Sequence, residues 1–161
     1  MSVTKVVKDP ENFTMIVSAE YGVPVERAWQ LVSDPRQFER WWGPPTHPAT
    51  FADFDLTVRA AIAYYMTAPD GEQFHGIMNV DEVEAPVRLA VTHLFTDATG
   101  AEIPGTPTVS MIFDFEPSDD GTVFTVTNVY GSLEVMEKMQ AMGQEEGLIQ
   151  AMGQIDAILA D

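Results

Sequence analysis

The 161-residue sequence predicts an α+β fold: a curved antiparallel sheet of six to seven strands around a long C-terminal helix, with two short helices after the first strand. Three observations carry that prediction. An alternating apolar segment near residues 12–21 gives way to two segments with helical spacing. From 51 to 130 the chain alternates between β-rich runs and turn residues. The last thirty residues then change to a helical period.

In the first strand Phe13, Met15, Val17, Ala19 and Tyr21 alternate with Thr14, Ser18 and Glu20, a period of two with Ile16 as the one apolar exception on the second face. Pro24 suits a first helical turn, and Val25, Ala28, Trp29 and Val32 follow at i, i+3, i+4 and i+7. Asp34-Pro35-Arg36-Gln37 opens a second short helix. Asp34 caps it, Pro35 fills the first position, and Gln37 completes a capping box. Phe38, Trp41 and Trp42 form its apolar face, and Gly43-Pro44-Pro45 ends it. Adjacent helical residues point about 100° apart, so one of the two tryptophans packs inward while the other lies nearer a rim.

Strands are expected near 51–58, 60–67, 73–84, 87–96, 107–116 and 122–130. The separators carry turn chemistry: Pro69-Asp70-Gly71, Ala85-Pro86, Asp97 to Gly105, and Pro117 to Gly121. Strands linked this tightly pair antiparallel. Near the end, Leu148, Met152, Ile155 and Leu159 recur at i, i+4, i+7 and i+11, with Ala151 and Ile158 alongside. Met136, Met139 and Met142 precede that helix in a separate segment, broken near Gly143 or Gly147. A lone amphipathic helix must bury its stripe, and an antiparallel sheet must cover one face. Curling the sheet around the helix satisfies both. No repeat, linker or low-complexity block divides the chain, so residues 1–161 read as one domain.

Composition excludes several function classes. Without cysteine there is no thiol catalysis, disulfide or Cys-ligated metal centre. Twenty-five acidic residues against eight basic ones give a net charge of −17, which repels nucleic acid and anionic membranes. No run approaches the roughly 20 apolar residues that span a bilayer. The start of the chain has no apolar signal region, so a cytoplasmic location is expected. His47, His75 and His93 are scattered and form no HExxH pair, so no metal site is expected. The GxSxG, GxxxxGK[ST] and GxGxxG signatures are absent, and no cofactor is called for.

Val23-Pro24-Val25-Glu26-Arg27-Ala28-Trp29, Asp34-Pro35 and Trp41-Trp42-Gly43-Pro44-Pro45 resemble the opening of a known family. That family comprises homologues of the activator of the ninety-kilodalton heat-shock-protein ATPase, within the START/SRPBCC superfamily. Pro69-Asp70-Gly71, Arg88-Leu89 with Thr92, Gly121-Thr122 and Gln144-Glu145-Glu146-Gly147 extend the resemblance over nearly the whole chain. Two places depart from it. Val58-Arg59-Ala60-Ala61 stands where the family often has paired glycines, and Leu148 where it often has Trp. The resemblance implies a helix-grip fold, like that of the birch pollen allergen, with a cavity between sheet and long helix. Superfamily members bind lipids, sterols, polyketides or hormones, and some are cyclases or hydroxylase subunits. The namesake is a co-chaperone.

Ligand pockets are mostly apolar with a few placed polar groups. The candidate ligand-contacting residues are therefore Phe38, Trp41, Tyr65, Met78, His93, Phe113, Met142 and Met152. For each aromatic or methionine the competing reading is ordinary core packing. His93 shares a strand face with Leu89, Val91 and Phe95, as a polar anchor, an acid–base group, a hydrogen-bonded core histidine or one at the sheet's outer face. No catalytic residue is assigned. The leading expectation is binding of a small apolar or amphipathic molecule. The alternatives are a cofactor-free cyclase or dehydratase using His93, Tyr65 or Glu82, and a co-chaperone-like module with a protein partner or a second copy of itself.

Overall fold

A computed structural model describes residues 3–161. Its strands are β1 (Val3–Asp9), β2 (Thr14–Tyr21), β3 (Ala49–Asp53), β4 (Ala61–Thr67), β5 (Gln73–Glu84), β6 (Arg88–Thr96), β7 (Val109–Ser118) and β8 (Gly121–Val129). Its helices are α1 (Val25–Ser33), α2 (Pro35–Trp42), α3 (Leu133–Ala141), α4 (Gln144–Met152) and α5 (Ile155–Leu159). The strands form one open antiparallel sheet in the order β1-β2-β8-β7-β6-β5-β4-β3.

The sheet has eight strands, because Val3–Asp9 pairs with β2 ahead of the strand read as first. The link between them is tied by Asp9, whose carboxylate accepts from the Glu11 and Asn12 amides at 3.1 and 3.3 Å. Phe13 sits in that turn at φ 57 rather than in the strand. The strand expected over 51–58 stops at Asp53. Asp55 accepts from both the amide and the hydroxyl of Thr57, at 3.0 and 2.6 Å, and such a local turn competes with the ladder. Arg59 then takes a left-handed φ of 77, where the family resemblance led us to look for glycine.

Alternate residues of every long strand face one side. Met15 and Val17, Phe124 and Val126, Phe113 and Phe115, Leu89 and Val91, Met78 and Val80, and Ile62 are all buried there. The helices cover that face. Asp34 caps α2 through the Arg36 amide at 2.9 Å, and Gln37 returns its side-chain amide to Asp34 at 3.1 Å. Trp41 Nε1 donates to the Leu31 carbonyl at 2.9 Å, locking α2 onto α1. Gln154 donates to the Gly43 carbonyl at 2.7 Å and ties the end of α2 to the C-terminal helix.

That helix is interrupted twice. Gly143 adopts φ 83 between α3 and α4, a conformation that favours glycine, so the expected break falls there. Gly153 and Gln154 separate α4 from α5, yet both keep right-handed dihedrals, and Gly153 N–H still reaches the Ile149 carbonyl at 3.0 Å.

Candidate functional site

The site begins with a glycine. Tyr64 in β4 pairs with Gly76 in β5, and β6 lies beyond it. A Cβ on Gly76 would come within 2.7 Å of the Tyr64 Cζ and Oη. The missing side chain lets the tyrosine ring lie across β5 and reach His93 of β6. Tyr64 Oη and His93 Nε2 are 2.5 Å apart, and both residues are buried. His93 Nδ1 has no hydrogen-bond partner, and Trp42 Nε1, at the end of α2, makes no full hydrogen bond but lies close enough to the Tyr64 hydroxyl to act on it. Burial pushes the His93 pKa down to about 4. Burial also raises the Tyr64 hydroxyl to about 12, tempered by the nearby Trp42 indole. The pair is therefore neutral across the physiological range.

These residues wall one side of a cavity of about 430 Å³. The sheet contributes Tyr64, Met66, Phe74, His93, Phe95, Met111 and Asn128. The end of α2 and its following loop contribute Trp42, Pro44 and His47. The α3–α4 junction closes it with Met139, Met142, Gly143, Gln144, Gly147 and Leu148. Gly147 has open space where a Cβ would stand.

A second polar group holds the junction to the sheet. Asn128 faces inward from β8 and donates to the Met15 carbonyl at 3.2 Å. Gln144 donates to Asn128 Oδ1 at 2.9 Å and accepts from Tyr130 Oη at 2.5 Å. Burial, with the Glu145 charge nearby, raises the Tyr130 hydroxyl well above its ordinary value. This chain fixes where α4 starts and hence where the cavity's helical wall lies. Among the described residues, no cluster of His, Asp and Glu is arranged to hold a metal ion.

The structure sorts the eight candidate residues three ways. His93 and Met142 line the cavity, the latter at 55% exposure at its mouth. Phe38, Trp41, Met78, Phe113 and Met152 are fully buried in the packed core and do not line it. Tyr65 requires a correction. It lies on the opposite face of β4, ring to ring with His75 at 5.5 Å, and Tyr64 holds the inward place. The side-chain period of a strand is two, so a one-residue shift exchanges the faces. Glu82 also points elsewhere, half-exposed and 3.8 Å from Arg88 Nη1. Trp41 is the inward tryptophan and Trp42 the cavity-side one. Sequence reasoning passed over Asn128 and Gln144. The available signal was a polar residue in the inward series Phe124, Val126, Asn128.

The sequence profile of the family described as "Activator of Hsp90 ATPase homolog 1-like protein" matches residues 22–160. Protein Ms6760 from Mycobacterium smegmatis is 38% identical over 98% of this chain and 96% of that chain, with a TM-score of 0.90. A protein from Arthrobacter aurescens is 41% identical over 99% of this chain and 92% of that one, with a TM-score of 0.94. The AHSA1 protein from Silicibacter pomeroyi, 21% identical over 91% and 97% of the two chains, shares the fold at a TM-score of 0.74. No curated protein matches the chain. The family profile spans most of the sequence and the fold agrees with it, so the chain belongs to the activator of Hsp90 ATPase homologue 1-like family of the START/SRPBCC superfamily.

Proposed function

We propose that this protein binds a small, mainly apolar molecule in the cavity between the sheet and the α3–α4 junction. The observation that carries the reading is a pocket of about 430 Å³, open at one side, with walls of Met, Phe, Trp and Leu side chains. Ligand sites typically occupy roughly 300–1,000 Å³ with such walls and a few placed polar groups. Family membership is compatible with ligand-binding and co-chaperone-like roles in general. Trp41 and Trp42 are buried, so the segment 41–45 offers no aromatic patch to a protein partner, which favours the small molecule.

Binding is favoured over catalysis by the state of the polar pair. A histidine that protonates only near pH 4 is a weak base at neutral pH. A tyrosine raised to about 12 is a reluctant proton donor. Together they suit hydrogen bonding to a ligand better than proton transfer.

Native mass spectrometry of freshly purified protein, compared with the denatured mass, tests the proposal. A non-covalent adduct of roughly a few hundred daltons, consistent with a ligand that fills such a site, is expected. A clean apo mass, together with no uptake of added naphthalene-sized probes, would overturn it.

A further inference from the structure

The cavity opens where its wall is exposed. Of the residues that line it, Phe74 and Met142 are the exposed ones, at 50% and 55%. Both also border a second hollow, of about 540 Å³, outside that opening, and Phe95 borders the two as well. The outer hollow lies between the start of β5 and the loop that leaves β6, with Met142 of the α3–α4 junction beside it. Ile103, another exposed apolar side chain, stands on its loop side. Exposed apolar residues scattered singly need no explanation, but a group around one opening marks a contact site. The two hollows meet at a shared sill, and each falls within the usual size of a ligand site.

They differ in chemistry. Polar groups of the inner hollow are spent on one another, Tyr64 with His93 and Asn128 with Gln144. What it offers a ligand is mainly Met, Phe, Trp and Leu surface. The outer hollow adds Gln73, Asp97 and Thr106 to its apolar floor. Gln73 carries an exposed carboxamide, which both donates and accepts. Thr106 Oγ1 donates to the Ile103 carbonyl at 2.6 Å and keeps its own oxygen as an acceptor. A molecule seated in both hollows is apolar at one end and forms hydrogen bonds at the other.

Charge narrows the polar end. Among the described residues, no Lys or Arg borders either hollow. Lys138 donates to the Gly105 carbonyl at 2.7 Å on the same loop, outside the lining. Asp97 does border the outer hollow, its carboxylate held in place by the Thr99 hydroxyl at 2.6 Å and the Ala101 amide at 3.1 Å. The chain as a whole carries −17. An anionic head would meet no counter-charge there and would approach against the field of the surface.

We propose that the ligand is a single elongated amphiphile spanning both hollows, with its apolar end in the inner cavity and a hydroxyl-bearing head without negative charge in the outer one, beside Gln73 and Thr106. The proposal rests on the binding reading above and adds to it the outer site, the ligand's shape and the class of its head.

Isothermal titration with 2-methoxynaphthalene, 2-naphthyl β-D-glucoside and 2-naphthyl β-D-glucuronide tests it. The first probe is the apolar end alone. The other two carry sugar heads of one shape that differ by a carboxylate. The glucoside is expected to displace 2-methoxynaphthalene and to bind about tenfold more tightly, from hydrogen bonds made in the outer hollow. The glucuronide is expected to bind about tenfold more weakly than the glucoside at low ionic strength, with the gap narrowing as salt is added. Gln73→Ala, an exposed change outside the inner cavity, should weaken the glucoside about fivefold and leave 2-methoxynaphthalene within about twofold. A melting curve by circular dichroism checks that this variant folds, and if it does not, the wild-type ratios decide. Equal affinity for glucoside and 2-methoxynaphthalene, or both bound at once, would overturn the spanning ligand while leaving the inner cavity as a binding site. An unchanged glucoside affinity in folded Gln73→Ala would remove the head from this groove, and a glucuronide as tight as the glucoside would overturn the class of head. Binding of none of the three would overturn this proposal and the binding reading together.

Discussion

The concave face of the sheet is filled at one end and hollow at the other. At the filled end Phe38 lies 5.4 Å from the Trp41 ring, 4.7 Å from Phe51 and 5.8 Å from Phe113. Phe115 and Phe124 stack at 4.5 Å, and Trp29 meets Phe115 edge-on at 5.7 Å. At the hollow end the strands still send large side chains inward, but the α3–α4 junction answers them with Met139, Met142, Gly143, Gly147 and Leu148. Flat, stiff rings interlock in few ways, and their pairs add to the area they bury. Methionines adapt to irregular shapes and glycines leave room. The two ends share one sheet and one alternation. What separates them is which helical residues arrive opposite.

The comparison can be broken most sharply at Phe38. Phe38→Ala should cost about 3–5 kcal/mol, because the ring is fully buried and its neighbours are too rigid to collapse into the space. Urea denaturation reads this directly. A cost near 1 kcal/mol would show that the aromatic end is not the stability core.

The hollow end should respond in binding rather than in stability. Leu148 is nearly buried and lines the cavity, and Leu148→Trp would send the larger ring into the empty space. Unfolding free energy is expected to stay within about 1.5 kcal/mol of wild type. Affinity for 2-acetylnaphthalene is expected to fall at least ~100-fold, which is about 2.7 kcal/mol. Unchanged affinity in a titration would place the ligand elsewhere.

The polar wall adds a pH signature. His93 protonates near pH 4 in the folded chain, against an ordinary 6.5. As pH falls, the unfolded chain therefore takes up its proton first. Stability is intact above pH 6.5 and erodes between 6.5 and 4, with a loss of about 2 kcal/mol between pH 7.5 and 5 from this residue. Urea unfolding at both values should show a shallower difference for His93→Gln than for wild type. An identical difference would mean that the folded protein protonates this histidine as readily as the unfolded chain does.

The smallest effect belongs to Met139, buried at 4% exposure yet bordering the void. A side chain with empty space on one flank has fewer contacts to lose. Met139→Ala should cost less than about 2 kcal/mol by the same urea assay, clearly below Phe38→Ala. A cost equal to that of Phe38→Ala would erase the distinction between the two ends.

The elements of the fold were legible in the sequence, unevenly, whereas the contrast between its two ends was not. The helix caps and the break at Gly143 could be read because they are local: Asp34-Pro35 and a lone glycine carry their own stereochemistry. That Leu89, Val91 and His93 share one strand face was legible from strict alternation, though not which way that face points. Tyr64 and Tyr65 were not separable, because two adjacent tyrosines satisfy either register. β1 was missed because Val6 and Val7 are consecutive and blur the period of two. The early end of β3 depended on Asp55 turning back on Thr57, a side-chain bond that competes with the ladder. Phe38, Trp41 and Phe113 were assigned to the ligand because composition does not tell a cavity wall from a packed core. That choice is made by what arrives opposite: Phe38 of α2 meets Phe113 of β7, a contact between distant parts of the sequence.

The most direct test uses the methionines as reporters at both ends. Met66, Met111, Met139 and Met142 line the cavity, whereas Met15, Met78, Met136 and Met152 are buried outside it. With 13C-methyl-labelled methionine, titration of 2-acetylnaphthalene should shift the first four methyl resonances and leave the second four nearly unmoved. Shifts confined to the second group, or no shift at saturating probe, would contradict a binding cavity at the hollow end.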